Sequence, residues 1–252
     1  MIYQYKNYFA NNQSIFWLEF GKVKGMYLIM ILKNLVQYQV YDYLKDNILN
    51  GKLLNNTLYS ETKLAAELGI SRTPIREALH CLSQDGYINI IPSKGFIIRQ
   101  LNENDMHETI QIRCAIEGFC THIIAAEVES EKGQTLINKL SDLLELQESS
   151  LKPNVSLKDF MEYDHEFHLA LVNYADNKEF SQTFQRSMYQ IHLTTTTALS
   201  FPKRTEDTLN EHKQFFSFLK LGDGDSAYHM LINHLMMPLN MHILKDSAET
   251  KF

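Results

Sequence analysis

Two short helical patterns separated by a three-residue turn lie in the first third of the chain. The first pattern begins at Ser60 and ends at Gly69, a glycine of the kind that terminates helices. In the second pattern Thr73 can cap the helix, and Pro74 can occupy its first position, where a missing N–H costs nothing. The connecting turn Gly69-Ile70-Ser71 has the length found between two helices that bind DNA. The pattern therefore predicts a helix-turn-helix.

The residues on either side of this pair extend it to a larger unit. Before it, one apolar residue recurs every fourth position in a helical stripe that stops at Asn50-Gly51. After it, the apolar segments 87–91 and 96–99 flank a turn at 92–95, which is typical of a β-hairpin. The stripe consists of Val36, Val40, Leu44 and Ile48. Three helices followed by a hairpin predict a winged helix.

Charge divides the chain near Gln100. Residues 1–100 contain 11 Lys and Arg against 7 Asp and Glu, whereas residues 101–252 contain 13 against 23. Nine of the ten histidines also lie after residue 100. The first part therefore suits phosphate partners and the second suits cations, although a chance segregation of modest charges is the alternative.

Polar residues at the start of the third helix are candidates for DNA contact. Arg72, Thr73 and Arg76 lie off the apolar stripe of that helix, and recognition helices present their N-terminal residues to base edges. An arginine can donate two hydrogen bonds to guanine. Lys94 lies at the predicted hairpin tip, where it can reach the DNA backbone or the adjacent minor groove. The alternative is that Arg72 and Arg76 are a solvated pair one helical turn apart.

The second part of the chain predicts an all-helical bundle. The chain has only 10 Gly and 5 Pro, and the apolar pattern gives six helices and no strand after residue 100. Three cysteines without CxxC spacing favour a reducing, cytoplasmic location, and no apolar run approaches the length of a membrane span. The predicted helices cover residues 103–126, 131–149, 156–174, 177–198, 205–221 and 223–244.

One carboxylate and three imidazoles in this part could bind a metal. Asp164 and His168 are four residues apart and project from one helical face, while His212 and His234 lie on two later helices. Such a set suits a divalent ion such as Zn, Ni or Mn. His165 is turned by about 100° and is not expected to be a ligand. Taken singly, each histidine is more often a surface or core residue.

Residues 35–99 resemble the winged-helix domain of the GntR family of bacterial transcription regulators. The resemblance rests on residues 58–65, on the run Ser-Arg-Thr-Pro-Ile-Arg-Glu-Ala-Leu at 71–79, and on Gly86-Tyr87-Ile88. Thr62 and Lys94 depart from the family, because many relatives have arginine at both positions. The resemblance implies that the DNA contacts are made by Ser71, Arg72, Thr73, Arg76, Lys94 and Gly95.

Residues 103–242 are similar to the FCD ligand-binding domain of the FadR-like branch of that family. The matching pieces are residues 113–117, 164–168, Glu211-His212 and the segment from Asp223 to Leu235. The resemblance implies a six- to seven-helix bundle that binds a metal through Asp164, His168, His212 and His234. It also implies that Arg113 faces an effector cavity and pairs with a carboxylate.

Together these observations predict a mainly α, cytoplasmic transcription regulator and not an enzyme. Residues 30–100 form the winged helix, and residues 101–252 form the FCD-type effector, metal-binding and dimerisation domain. Residues 1–29 are an unassigned extension, either an added arm or the product of a start placed upstream of Met26 or Met30. We expect a homodimer on a near-palindromic double-stranded DNA operator, repression as output and a small carboxylate as effector.

Two alternative functions are compatible with the same candidate metal ligands. In the first, the regulator has a purely structural metal and no small-molecule effector. In the second, the four ligands leave an open position for a hydrolytic water, as in a metal-dependent hydrolase. The second lacks a general base at a convincing spacing, because Glu166 lies on another helical face, and it gives the winged helix no purpose.

Overall fold

The computed structural model describes residues 25–100, 102–152 and 156–241, which divide into two compact units after Gln100. The predicted extension 1–29 falls mostly outside these ranges, since residues 1–24 are not described. Its last five residues belong to the first helix, which begins at Gly25 and so earlier than the predicted boundary at residue 30. None of the described helices is long and apolar enough to cross a membrane.

Over residues 25–100, the first unit contains three helices and a two-stranded antiparallel sheet. Ile88 pairs with Ile98, and Ile91 pairs with Gly95, so the strands form a tight hairpin. A winged helix is therefore present in the predicted order. Its elements are α1 (Gly25–Leu49), α2 (Glu61–Leu68), α3 (Arg72–Gln84), β1 (Ile88–Ile91) and β2 (Gly95–Ile98).

Helix ends in this unit follow local chemistry. The Ser60 hydroxyl accepts a hydrogen bond from the Lys63 amide, and Gly69 ends α2 in the left-handed conformation with φ of 69°. The prediction of Thr73 as the cap of α3 is wrong, because Ser71 is the N-cap and Thr73 lies within the first turn. Pro74 remains compatible with the helix because first-turn amides have no intrahelical acceptor.

The hairpin packs onto the helices through a small apolar core. Val40, Leu44, Ile75, Leu82 and Phe96 are almost fully buried, so the predicted stripe of α1 does face the interior. The backbone of Tyr59, just before α2, exchanges two hydrogen bonds with Phe96 on β2. These bonds fix the wing beside the start of α2 and α3.

Over the described residues 102–152 and 156–241, the second unit is a bundle of seven helices. The predicted helix over 177–198 is two helices separated at Ser187, and the helix predicted to reach residue 244 ends at Asn240. The long helix α4 packs against α6 and α10, and α9 packs against α10. The helices are α4 (Glu103–Ala126), α5 (Glu131–Ser150), α6 (Leu157–Tyr174), α7 (Lys178–Arg186), α8 (Met188–Leu199), α9 (Arg204–Lys220) and α10 (Gly224–Asn240).

The core of this unit surrounds α6. Phe160, Phe167 and Leu171 on α6 are buried together with Phe215 on α9 and Leu231 on α10. The polar side chains Asp164 and His168 occupy the same buried face of α6. Burying ionisable groups in an apolar core is unfavourable unless they have partners, which marks this place as a candidate functional site.

Candidate metal centre and DNA-binding surface

The start of α3 presents an exposed polar surface. Ser71, Arg72, Thr73 and Arg76 are all exposed, and the two arginine side chains are 58% and 57% accessible. They are not free in solution, because the Glu61 carboxylate lies 3.3 Å from Arg72 Nε and 3.1 Å from Arg76 Nη2. The alternative of two arginines paired only with solvent does not hold, because an acidic residue of α2 bridges them.

A concave cleft joins α3 to the wing. Its volume is about 450 Å³, and Arg72 and Arg76 line it on one side. Lys94 and Gly95 line it on the other, whereas Ser71 and Thr73 lie outside the lining. Arginines, a lysine and a glycine backbone on one cleft form a surface that can accept a phosphate backbone and base edges.

Four predicted ligands meet in the core of the second unit. Asp164 and His168 project from α6, His212 from α9 and His234 from α10, and one ligand atom of each lies within 4.8 Å of the others. His234 Nε2 is 3.2 Å from His212 Nε2 and 3.3 Å from His168 Nε2. Asp164 Oδ1 is 3.7 Å from His212 Nε2.

The second ring nitrogen of each histidine bonds an oxygen outside the cluster. His168 Nδ1 lies 2.6 Å from Glu117 Oε2, and His234 Nδ1 lies 2.6 Å from Glu211 Oε2. His212 Nδ1 lies 2.8 Å from Gln147 Oε1, whose amide nitrogen donates to the Tyr163 carbonyl. Oxygen acceptors at Nδ1 place the proton there and leave each Nε2 with a lone pair.

Three lone pairs and a carboxylate therefore converge with no donor between them. Two unprotonated nitrogens cannot hydrogen-bond to each other, so Nε2 atoms only 3.2 and 3.3 Å apart suit a cation placed between them. Nitrogen ligands held at the other ring nitrogen by oxygen acceptors are the usual outer arrangement of zinc-type sites. The donor set fits a divalent metal ion.

Burial controls the ionisation of these groups. Desolvation lowers the pKa of His168 and His212 well below the usual value of 6.5, so both rings are neutral at physiological pH. Burial also raises the pKa of Asp164 and of Glu117, an effect that the nearby Arg113 opposes. For Glu211, burial acts in the same direction, but hydrogen bonds from His234 and Arg204 outweigh it and lower the pKa to about 2.

Arg113 reaches a small cavity beside the cluster. Its Nε donates to Glu117 Oε1 at 2.6 Å, as the i,i+4 spacing predicts, whereas Nη2 has no hydrogen-bond partner among the described residues. The cavity measures about 30 Å³, and Arg113, Asp164, Arg204 and His234 line it. A buried guanidinium with an unused donor is a group to which an anion can bind.

The other predicted features of this unit occupy separate positions. His165 stacks on Phe184 at 6.0 Å, and His122 stacks on Tyr228 at 5.1 Å. All three cysteines are free, and Cys120 is fully buried. Neither histidine belongs to the group of four that meet at the cluster.

Sequence reasoning missed the groups that hold the arginines and imidazoles in place. The contacts of Glu61 with the two arginines were not predicted. The contacts of Gln147, Glu211 and Arg204 around the imidazoles were not predicted either. Adjacency of Glu211 to His212 is the one local signal, and it points to the wrong histidine, because Glu211 bonds His234. Gln147 is 65 residues from its partner His212, so only the packing of α5 against α9 reveals the contact.

The fold and the exposed basic cleft define a winged-helix DNA-binding protein with an attached helical domain. Two family models match these two parts. Residues 37–98 match the gntR family of bacterial regulatory proteins, and residues 108–236 match the FCD domain. The chain belongs to the GntR family of bacterial transcription regulators, in the FadR-like branch that carries an FCD domain.

Relatives of known name are transcription regulators. The chain is 26% identical to the uncharacterized HTH-type transcriptional regulator YdhC of Bacillus subtilis (strain 168), over 84% of this chain and 93% of YdhC. It is also 26% identical to the HTH-type transcriptional repressor RspR of Escherichia coli (strain K12), over 79% and 86%. The solved structure of E. coli McbR/YncC shares the fold, with a TM-score of 0.65 at 19% identity over 84% of this chain and 98% of that one.

Proposed function

We propose that this regulator binds a near-palindromic operator as a homodimer and acts as a repressor rather than as an enzyme. The observation that carries the proposal is the cleft that is lined by the exposed Arg72 and Arg76 and by the wing residue Lys94. In this arrangement Arg72 and Arg76 read base edges, together with Thr73, while Lys94 and the backbone at Ser71 and Gly95 contact phosphates. Two such heads in a dimer match two half-sites one helical turn apart.

The cluster in the second unit supplies the proposed control. Asp164, His168, His212 and His234 would hold a divalent ion, Zn, Ni or Mn, which supplies a localised positive charge to the cavity. Arg113 then offers its unused Nη2 to a small carboxylate effector, so that one anion is held from two sides. An effector changes DNA binding only by binding one arrangement of the protein better than another.

A second function fits the size of the cavity. A volume of about 30 Å³ holds only about two water molecules, since one water needs roughly 10–15 Å³. This favours a metal that is purely structural, with no small-molecule effector. The two functions differ in whether an added acid changes operator affinity.

The test is binding of the purified protein to DNA from upstream of its own gene. Fluorescence anisotropy over a salt series should show tight binding that weakens as salt rises, and Arg72→Ala should abolish it. Small organic acids are then added to the metal-loaded protein. A change in operator affinity supports effector control, whereas no change supports the structural metal. If neither this DNA nor any duplex selected from a random pool is bound, the proposed function is wrong.

A further inference from the structure

Arg204 has a position that the proposed function does not use. It begins α9, is 5% exposed, and lines the cavity beside His234. We propose that Arg204 is a positioning residue of the metal centre, acting through Glu211 on the ring of His234. This inference rests on the proposed metal site, and it concerns how tightly that site holds its ion.

The contacts form a continuous relay. Arg204 Nη1 and Nη2 lie 2.6 Å and 2.7 Å from the two oxygens of Glu211, which is a bidentate pair. Glu211 Oε2 lies 2.6 Å from His234 Nδ1. Bidentate pairing fixes the plane of the carboxylate as well as its position. The carboxylate in turn keeps the His234 proton on Nδ1 and turns Nε2 toward His168 and His212.

A second relay makes the role of Arg204 specific. Arg113 pairs with Glu117, and Glu117 bonds His168 Nδ1, so two arginine–glutamate–histidine chains flank the cluster. Arg113 donates to Glu117 through Nε, and its Nη2 has no hydrogen-bond partner among the described residues. Arg204 instead commits both terminal nitrogens to Glu211. Arg113 therefore has a donor left for an anion, whereas Arg204 positions Glu211 and, through it, the His234 ring.

Loss of Arg204 leaves the partly buried Glu211 with His234 as its one remaining hydrogen-bond donor among the described side chains. The carboxylate is then free to rotate, and the His234 ring can take the tautomer that puts its proton on Nε2. A protonated nitrogen cannot bind a metal. Removing such an outer partner typically weakens metal binding about 10- to 100-fold.

The experiment compares Arg204→Met with Lys213→Met in the full chain. Lys213 is also on α9 and pairs with Glu148 at 2.9 Å, but that ion pair is exposed. Both substitutions remove one positive charge and keep an unbranched side chain. Zinc affinity is measured by competition with a chromogenic chelator, and the visible absorption of the cobalt-loaded protein reports ligand geometry. Far-UV circular dichroism establishes that each variant is folded.

We expect Arg204→Met to weaken zinc binding about 10- to 100-fold and to change the cobalt spectrum, while Lys213→Met matches the wild type. Arg204→Lys, which keeps the charge but loses the fork, should fall between them, and it decides the question if Arg204→Met does not fold. Zinc affinity and a cobalt spectrum equal to the wild type in a folded Arg204 variant would overturn the inference alone. A wild-type protein that binds neither ion would instead overturn the proposed metal site.

Discussion

At the scale of single residues, the division between reading bases and holding phosphates can be tested at Arg76. Arg76→Ala should cost about 1–3 kcal/mol of operator binding and relax the preference at one base pair in each half-site. Lys94→Ala is the comparison, because a phosphate contact should weaken all sequences equally and lower the salt slope by about one unit. Anisotropy titrations with the operator and its single-base variants measure both. Unchanged operator affinity in Arg76→Ala would remove Arg76 from the reading surface.

A second residue to test is Glu61. Its carboxylate lies within 3.3 Å of Arg72 and Arg76 and adds negative charge to the cleft. Glu61→Gln should raise the affinity for random duplex DNA by about 0.5–1 kcal/mol, the size of an exposed ion pair, and so lower the ratio of operator to random binding. Glu67→Gln removes the same charge from the exposed far end of α2 and should leave that ratio unchanged. An equal ratio in the two variants would mean that Glu61 does not govern access to the arginines.

At the scale of elements, the parts with local signals were predicted and the parts set by packing were not. The order of the winged helix follows from Gly69, from the turn at 92–95 and from the apolar segments on both sides of that turn, all of which act within a few residues. The N-cap of α3 is Ser71 rather than the predicted Thr73; Ser71 has an extended backbone conformation there and makes no side-chain cap hydrogen bond. No glycine or proline marks the boundary between α7 and α8 at Ser187, and the sequence therefore predicted one continuous helix.

The wing has no room for a Cβ atom at Gly95. Its φ is +136°, and an added Cβ would lie 1.9 Å from the Tyr59 carbonyl oxygen. Gly95→Ala should therefore destabilise the winged unit by more than about 2 kcal/mol and weaken DNA binding with it. Gly51→Ala is matched, because its φ is +64° and nothing lies within 4 Å of the added atom. Gly51→Ala should therefore destabilise the winged unit only through the strain of a positive φ, by about 1 kcal/mol. Urea titration measures both, and equal losses would contradict the proposed contact.

At the scale of the whole molecule, the candidate metal site is formed by residues that meet only in the tertiary structure, and the sequence predicted only part of it. Asp164 and His168 share a local motif, whereas His212 and His234 were candidates on two later helices, and resemblance to the FCD domain implied the set of four. The oxygens that orient the imidazoles come from α4, α5 and α9, and their pairings span 23 to 65 residues. No periodicity connects residues at such separations, which is why the ligands were predicted but most of their outer partners were not.

Because those pairings join five helices through one cluster, the metal should stabilise the second unit and leave the first unchanged. A chelator should lower the thermal stability of residues 101–252 by up to about 4 kcal/mol, the value for an ion at 1,000 times its Kd. His212→Ala with His234→Ala should abolish stoichiometric metal and respond no further to chelator. Hydrogen exchange by mass spectrometry assigns the change to each unit, and amides in the winged helix should keep their protection throughout. Stoichiometric metal in the double variant would exclude the four-residue ligand set, and equal loss of protection in both units would show that the cluster supports the whole chain.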